Sequence, residues 1–166
     1  MNRLRIELVR LGHGGALLKC TRIDGSVTWQ RNDDRRSVFF AMHDLRHYAV
    51  ESVLQSEKGF YGLIAAGWEI ADTTGKTARG KLPEETLAIE HLVGMLDADE
   101  TNGNHANASE LNQYAAEFAL RNQLQPRDEL SEDQLAEIRA LTTDLHSRWG
   151  SLETGATMRL WFPPDA

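Results

Sequence analysis

Cysteine is almost missing from this sequence: Cys20 stands alone. A lone cysteine forms no internal disulfide, which agrees with a reducing compartment, and a cytoplasmic location is expected. Long hydrophobic runs are missing too. The longest uncharged apolar stretch, Gly59 to Trp68, is far short of the roughly 20 residues a spanning helix needs, so no membrane association is expected. Arg3 and Arg5 are followed by the alternating Ile6-Glu7-Leu8-Val9-Arg10 and not by the apolar core of a secretory signal. An overall excess of basic charge is lacking. The net charge of −7 argues against a general nucleic-acid binder. No serine or cysteine stands in a nucleophile-elbow context, and there is no internal repeat or low-complexity tract.

What is present suits one domain over residues 1–166, long enough to bury a core unaided. The charge is uneven. Residues 1–36 carry eight Lys/Arg and four Asp/Glu, giving +4, whereas residues 37–166 carry ten and 21, giving −11. A basic sheet beside acidic, solvated helices accounts for this. The sharper reading is a basic face that meets an acidic partner, an anion or the acidic half of another copy, which makes a homo-oligomer one expected form.

The N-terminal third reads as a β-meander. Leu4, Ile6 and Leu8 alternate with Arg3, Arg5 and Glu7, the period of a half-buried strand over 3–11. Gly12-His13-Gly14-Gly15 is a turn. Residues 16–23 and 27–31 follow as strands joined by the hairpin signal Asp24-Gly25. Residues 38–40 form either a fourth strand or the lead-in to a helix at about 42–56. Residues 59–70 contain a short buried helix, and Pro83 suits the first turn of a long helix to about Asp97. Asn107-Ala-Ser-Glu110 and Ser131-Glu-Asp-Gln134 are capping boxes opening two more helices, the last ending at Gly150. A final strand spans 156–162. The fold class is therefore α+β: N-terminal strands plus a C-terminal strand in one antiparallel sheet, packed against about four helices.

His43 and His47 carry the clearest chemistry. Four residues apart on a helix, they lie on one face, where two imidazoles can hold one metal ion. At about 100° per residue they share that face with Val50 and Leu54, while Leu45, Tyr48 and Ala49 fall opposite, so this helix is apolar on two sides. A buried imidazole prefers to be neutral, the metal-binding form. Asp44 takes the place that the zinc-protease helix gives to glutamate, and Glu51 follows His47 by one turn. Asp44 and Glu51 are the candidate general bases. His43 and Glu51 are separated by roughly 12 Å of helix rise, which makes Glu51 an awkward third ligand. His91, on the second long helix, is the expected third ligand, with His13 next, while His105 and His146 read as loop and surface residues.

Other motifs carry less. Thr74-Gly75-Lys76-Thr77 ends like a phosphate-binding loop, but Ile70 stands where the first glycine is required. Lys76, Arg79 and Lys81 belong to a solvated loop. Tyr61, Trp68, Trp29 and Trp161 are expected in the core between sheet and helices. Cys20 reads as a small apolar strand residue. Two functional readings result. One is a small metal-binding protein, a metal-dependent hydrolase in its sharpest form, with zinc or a similar divalent transition metal on His43, His47 and His91. The other is a non-catalytic interaction protein in which these histidines are structural. The same histidine helix is equally a candidate ligand-binding site, and the sequence does not identify a small-molecule ligand for it.

Overall fold

The computed structural model describes residues 3–33, 37–77, 79–103 and 105–164. Four strands, β1 (Leu4–Arg10), β2 (Ala16–Arg22), β3 (Val27–Asn32) and β4 (Thr157–Phe162), form one antiparallel sheet in the order β3-β2-β1-β4. The two ends of the chain thus pair at β1 and β4, as expected. Register puts Ile6 opposite both Cys20 and Leu160, and Leu8 opposite Leu18 and Met158. These rows are buried, and each large apolar side chain so buried contributes roughly 1.5–3 kcal/mol. The β2–β3 turn is held by Asp24, whose Oδ1 accepts from the Ser26 amide at 2.9 Å and hydroxyl at 2.7 Å, with Gly25 at φ 84°.

The α-helices are α1 (Ser37–Leu54), α2 (Phe60–Ala65), α3 (Glu84–Asn102), α4 (Ala108–Asn122) and α5 (Glu132–Ser151); α1, α2 and α5 pack on one face of the sheet, and α3 and α4 pack beyond them. Both expected capping boxes are formed, at Asn107/Glu110 and Ser131/Gln134. Residues 38–40 are the first turn of α1, not a strand, and α3 continues five residues past Asp97 until Gly103 turns left-handed at φ 66°.

α1 is the central helix. It packs on α5, α3, α2 and β2. Leu45, Tyr48 and Ala49 join the apolar cluster formed with the sheet, α2 and Trp149. Val50 joins a second cluster with Ile89, Leu92, Val93 and Leu96 of α3 and with α4 and α5. The two apolar sides of this helix are therefore filled from different directions, and the histidine stripe runs between them.

Trp29, Trp161 and His146 are placed differently from expectation. Trp29 and Trp161 lie on the outer face of the sheet, 64% and 40% exposed, because strand alternation sends their neighbours Thr28 and Phe162 inward. His146 is buried on α5, with Nε2 donating to the Met42 carbonyl at 3.0 Å. Strand parity yields a test. Phe162, fully buried against Tyr48 and Tyr61, should cost about 3–5 kcal/mol on replacement by alanine. Trp161→Ala, one residue away, should cost less than about 1 kcal/mol. Urea unfolding of the two variants checks the difference.

Candidate metal centre

The seam between α1 and α3 holds a dense set of ionisable side chains. His43 and His47 are stacked one turn apart with ring centroids 4.7 Å from each other, edge to face. Each has its Nδ1 engaged by a carboxylate. His43 Nδ1 lies 2.6 Å from Asp97 Oδ2, and His47 Nδ1 lies 3.2 Å from Glu51 Oε1. The other oxygen of Asp97 accepts from Arg46 Nε at 2.6 Å, and Arg46 also bonds Glu100. The other oxygen of Glu51 accepts the Tyr61 and Gly62 amides at 2.9 and 3.0 Å, at the start of α2. Phe39 stacks on His43 at 5.5 Å and Phe60 lies 5.6 Å from His47.

A carboxylate on Nδ1 fixes the ring and leaves Nε2 to coordinate, the usual arrangement around metal-bound histidine. Opposite these rings stands Glu90 of α3, with Oε1 at 3.4 Å from His47 Nε2. His43, His47 and Glu90 each offer one ligand atom, and the three atoms lie within 4.8 Å of one another. A tetrahedral ion with ligands at about 2.0–2.2 Å needs them about 3.4 Å apart, a side-chain adjustment away. Among the described residues this is the group that could hold a metal ion.

The expected third ligand is elsewhere. The His91 ring lies flat on Phe118, with centroids 4.0 Å apart, and Glu90, the residue before it, faces the seam. One residue along a helix is a rotation of about 100°, enough to exchange the neighbours that the two side chains meet. The signal for Glu90 was periodic. Glu90, Gly94 and Asp97 follow the i, i+4, i+7 spacing of one polar stripe on α3. His13 is exposed in the β1–β2 turn. Glu51 orients His47 and anchors α2. Asp44 is buried, and none of the described residues hydrogen-bonds its carboxyl.

Burial dominates the electrostatics. It pushes Asp44 up to about 7, against the charges of His47 and His43, which pull it down. Burial alone would lower His47, but the hydrogen bonds that its ring donates to Glu51 and Glu90 outweigh it and push His47 up to about 10. For Glu90, burial opposes ionisation, yet the bond to His47 wins and its pKa falls below the ordinary value. Asp97 is lowered in the same way by His43 and Arg46. The pairing with Glu51 and Glu90 thus favours the protonated form of His47, in the position where a metal would compete with the proton, while burial pushes Glu51 itself up.

No family model, no curated protein and no solved structure matches this chain.

The raised His47 value has a consequence for stability. Its folded pKa lies above the unfolded value of about 6.5, so its contribution is fully present below that pH and is lost as pH rises through about 10. Urea unfolding of chelator-treated protein should show stability falling between pH 6.5 and 10. The fall should be shallower in His47→Gln.

Proposed function

We propose that this protein binds a divalent transition metal through His43, His47 and Glu90 and uses the metal-bound water for hydrolysis. The observation that carries the reading is the cluster itself: His43, His47 and Glu90 each offer a ligand atom within 4.8 Å of the others, with Asp97 and Glu51 on the two Nδ1 atoms and His47 Nε2 facing Glu90. Two imidazoles and one carboxylate leave coordination positions open, the pattern of a catalytic rather than a structural site. Imidazole with carboxylate suits zinc, with iron, nickel and manganese as competitors.

Charge supports the same reading. Asp44, Glu51, Glu90 and Asp97 converge on the seam. Arg46 is the permanent cation there, and it is already bonded to Asp97 and Glu100. A divalent ion offsets that excess of carboxylate. With the ion bound, Asp44 would ionise more readily and would serve as the base for the coordinated water, whose pKa the metal lowers toward 7. Glu51 is unsuited to that role, since both of its oxygens are already engaged.

Access comes from the α3 side. His47 and Glu51 are sealed, while the side chains of His43 and Glu90 are 23% and 38% exposed. Gly94 lies on the α3 stripe between Glu90 and Asp97, is exposed, and a Cβ added there would meet nothing within 4 Å. A mid-helix glycine costs about 1 kcal/mol relative to alanine. Here it leaves an open notch beside the site, and the exposed Phe39 beside His43 offers an apolar edge.

Elemental analysis of protein purified without a histidine tag should find a stoichiometric metal that disappears in the His43→Ala, His47→Ala double variant. Glu90→Gln should weaken metal binding more than tenfold, Asp97→Asn by about 10–100-fold, and His91→Ala should leave it unchanged. Asp44→Asn should abolish hydrolysis of chromogenic esters with the metal retained. Metal-free protein whose melting temperature ignores zinc, manganese and nickel would leave the seam a purely structural network.

A further inference from the structure

The sheet has a second face that the helices leave bare. Across the four strands, register aligns Trp29, Lys19, Glu7 and Arg159 in one outward row, and Val27, Thr21, Arg5 and Trp161 in the next. Two features set this face apart from the rest of the molecule. The first is charge. Arg3, Arg5, Lys19, Arg31 and Arg159 stand against Glu7 and the Asp33 that pairs with Arg31. Five cations less two carboxylates leave +3 on a chain whose net charge is −7. Glu7 sits at the centre, 3.3 Å from Arg159, 3.6 Å from Lys19 and 3.7 Å from Arg5. It gathers three cations around one carboxylate and so fixes their positions.

The second feature is aromatic exposure. Trp29 is 64% exposed and Trp161 40%, with Ile23 and Val27 exposed beside them. Together they are half of the large hydrophobic residues exposed among the described residues. The Arg3 guanidinium lies over the Trp161 ring, 4.4 Å from its centroid, so one indole is already a platform for a flat cation. Three strand spacings and one row separate the two indoles, roughly 16 Å.

Basic charge interleaved with exposed flat rings on a rigid sheet selects among polyanions. Two copies meeting through this face would set like charges against each other. A nucleic-acid duplex keeps its bases stacked inside and offers the indoles nothing to stack on. A single strand offers both phosphates for the cations and bases for the rings. We infer that this outer sheet face binds single-stranded nucleic acid, its phosphates held by the arginines and Lys19 and its bases stacked on Trp29 and Trp161. The chain-wide acidity does not oppose this, because the carboxylates are concentrated in the part of the chain dominated by the helices, residues 37–166.

The test is fluorescence anisotropy of the full chain with labelled oligothymidine and oligouridine of about 15 nucleotides, within the site sizes of such surfaces. Binding at low salt is expected. Its logarithmic salt dependence should have a slope of about −3, from some four neutralised phosphates. Trp29→Ala and Trp161→Ala should each weaken it by roughly five- to a hundredfold. Lys19→Ala with Arg159→Ala should weaken it and flatten the slope. All three variants should melt cooperatively, since the side chains are on the outer face. The proposal is overturned if no oligonucleotide binds at low salt, if the variants bind as the parent does, or if a duplex of equal length binds as tightly. It is equally overturned if the variants abolish only self-association or binding to anionic phosphatidylserine vesicles.

Discussion

Glu51 is the group on which the interior turns. It is fully buried near the end of α1 and serves two elements at once. One oxygen holds the His47 ring, and the other takes two backbone amides at the start of α2. A carboxylate is expensive to bury unless its lone pairs are filled, and here the His47 ring and the Tyr61 and Gly62 amides fill them. The glycine before α2 follows from the same constraint. A Cβ at Gly59 would lie 2.3 Å from the Glu51 carboxyl carbon. The turn from α1 into α2 therefore depends on one acid and one missing side chain, and the orientation of His47 depends on both.

From that anchor the seam extends outward. His47 reaches Glu90, His43 reaches Asp97, and Asp97 reaches Arg46, so α1 and α3 are joined by ionisable side chains where two apolar clusters leave a gap. Such a network is costly when incomplete. The high pKa of His47 expresses the two carboxylates that flank it, whereas burial is what raises Asp44. A proton on His47 offsets those carboxylates in part, and a divalent cation would do so more fully. Structure and proposed chemistry thus share a cause: the charge that the fold concentrates is the charge a metal requires.

Much of this was legible in the residues. Alternation placed the inward rows of β1, β2 and β4, the capping boxes placed α4 and α5, and helical spacing put His43 and His47 together on a face with Val50. What failed did so at points where the local pattern is silent. An amphipathic helix with two apolar faces has no unique rotation, so spacing alone puts His91 in the seam, where Glu90 stands. Tryptophan on a strand suggests the core by composition, but strand parity, counted from Thr28 and Phe162, puts Trp29 and Trp161 outside. Asp97 gave no signal alone. Only its seven-residue spacing from Glu90, matched against two histidines on another helix, marks it as a partner.

Metal binding in the seam is tested by anomalous diffraction at the absorption edge of zinc, from crystals of the untagged protein grown with that metal. A single strong peak is expected in the α1–α3 seam, about 2.0–2.2 Å from Nε2 of His43, Nε2 of His47 and a carboxylate oxygen of Glu90, with Asp97 and Glu51 still on the Nδ1 atoms. A peak at His91, peaks only at surface histidines such as His13 or His105, or a seam without a peak would contradict that expectation.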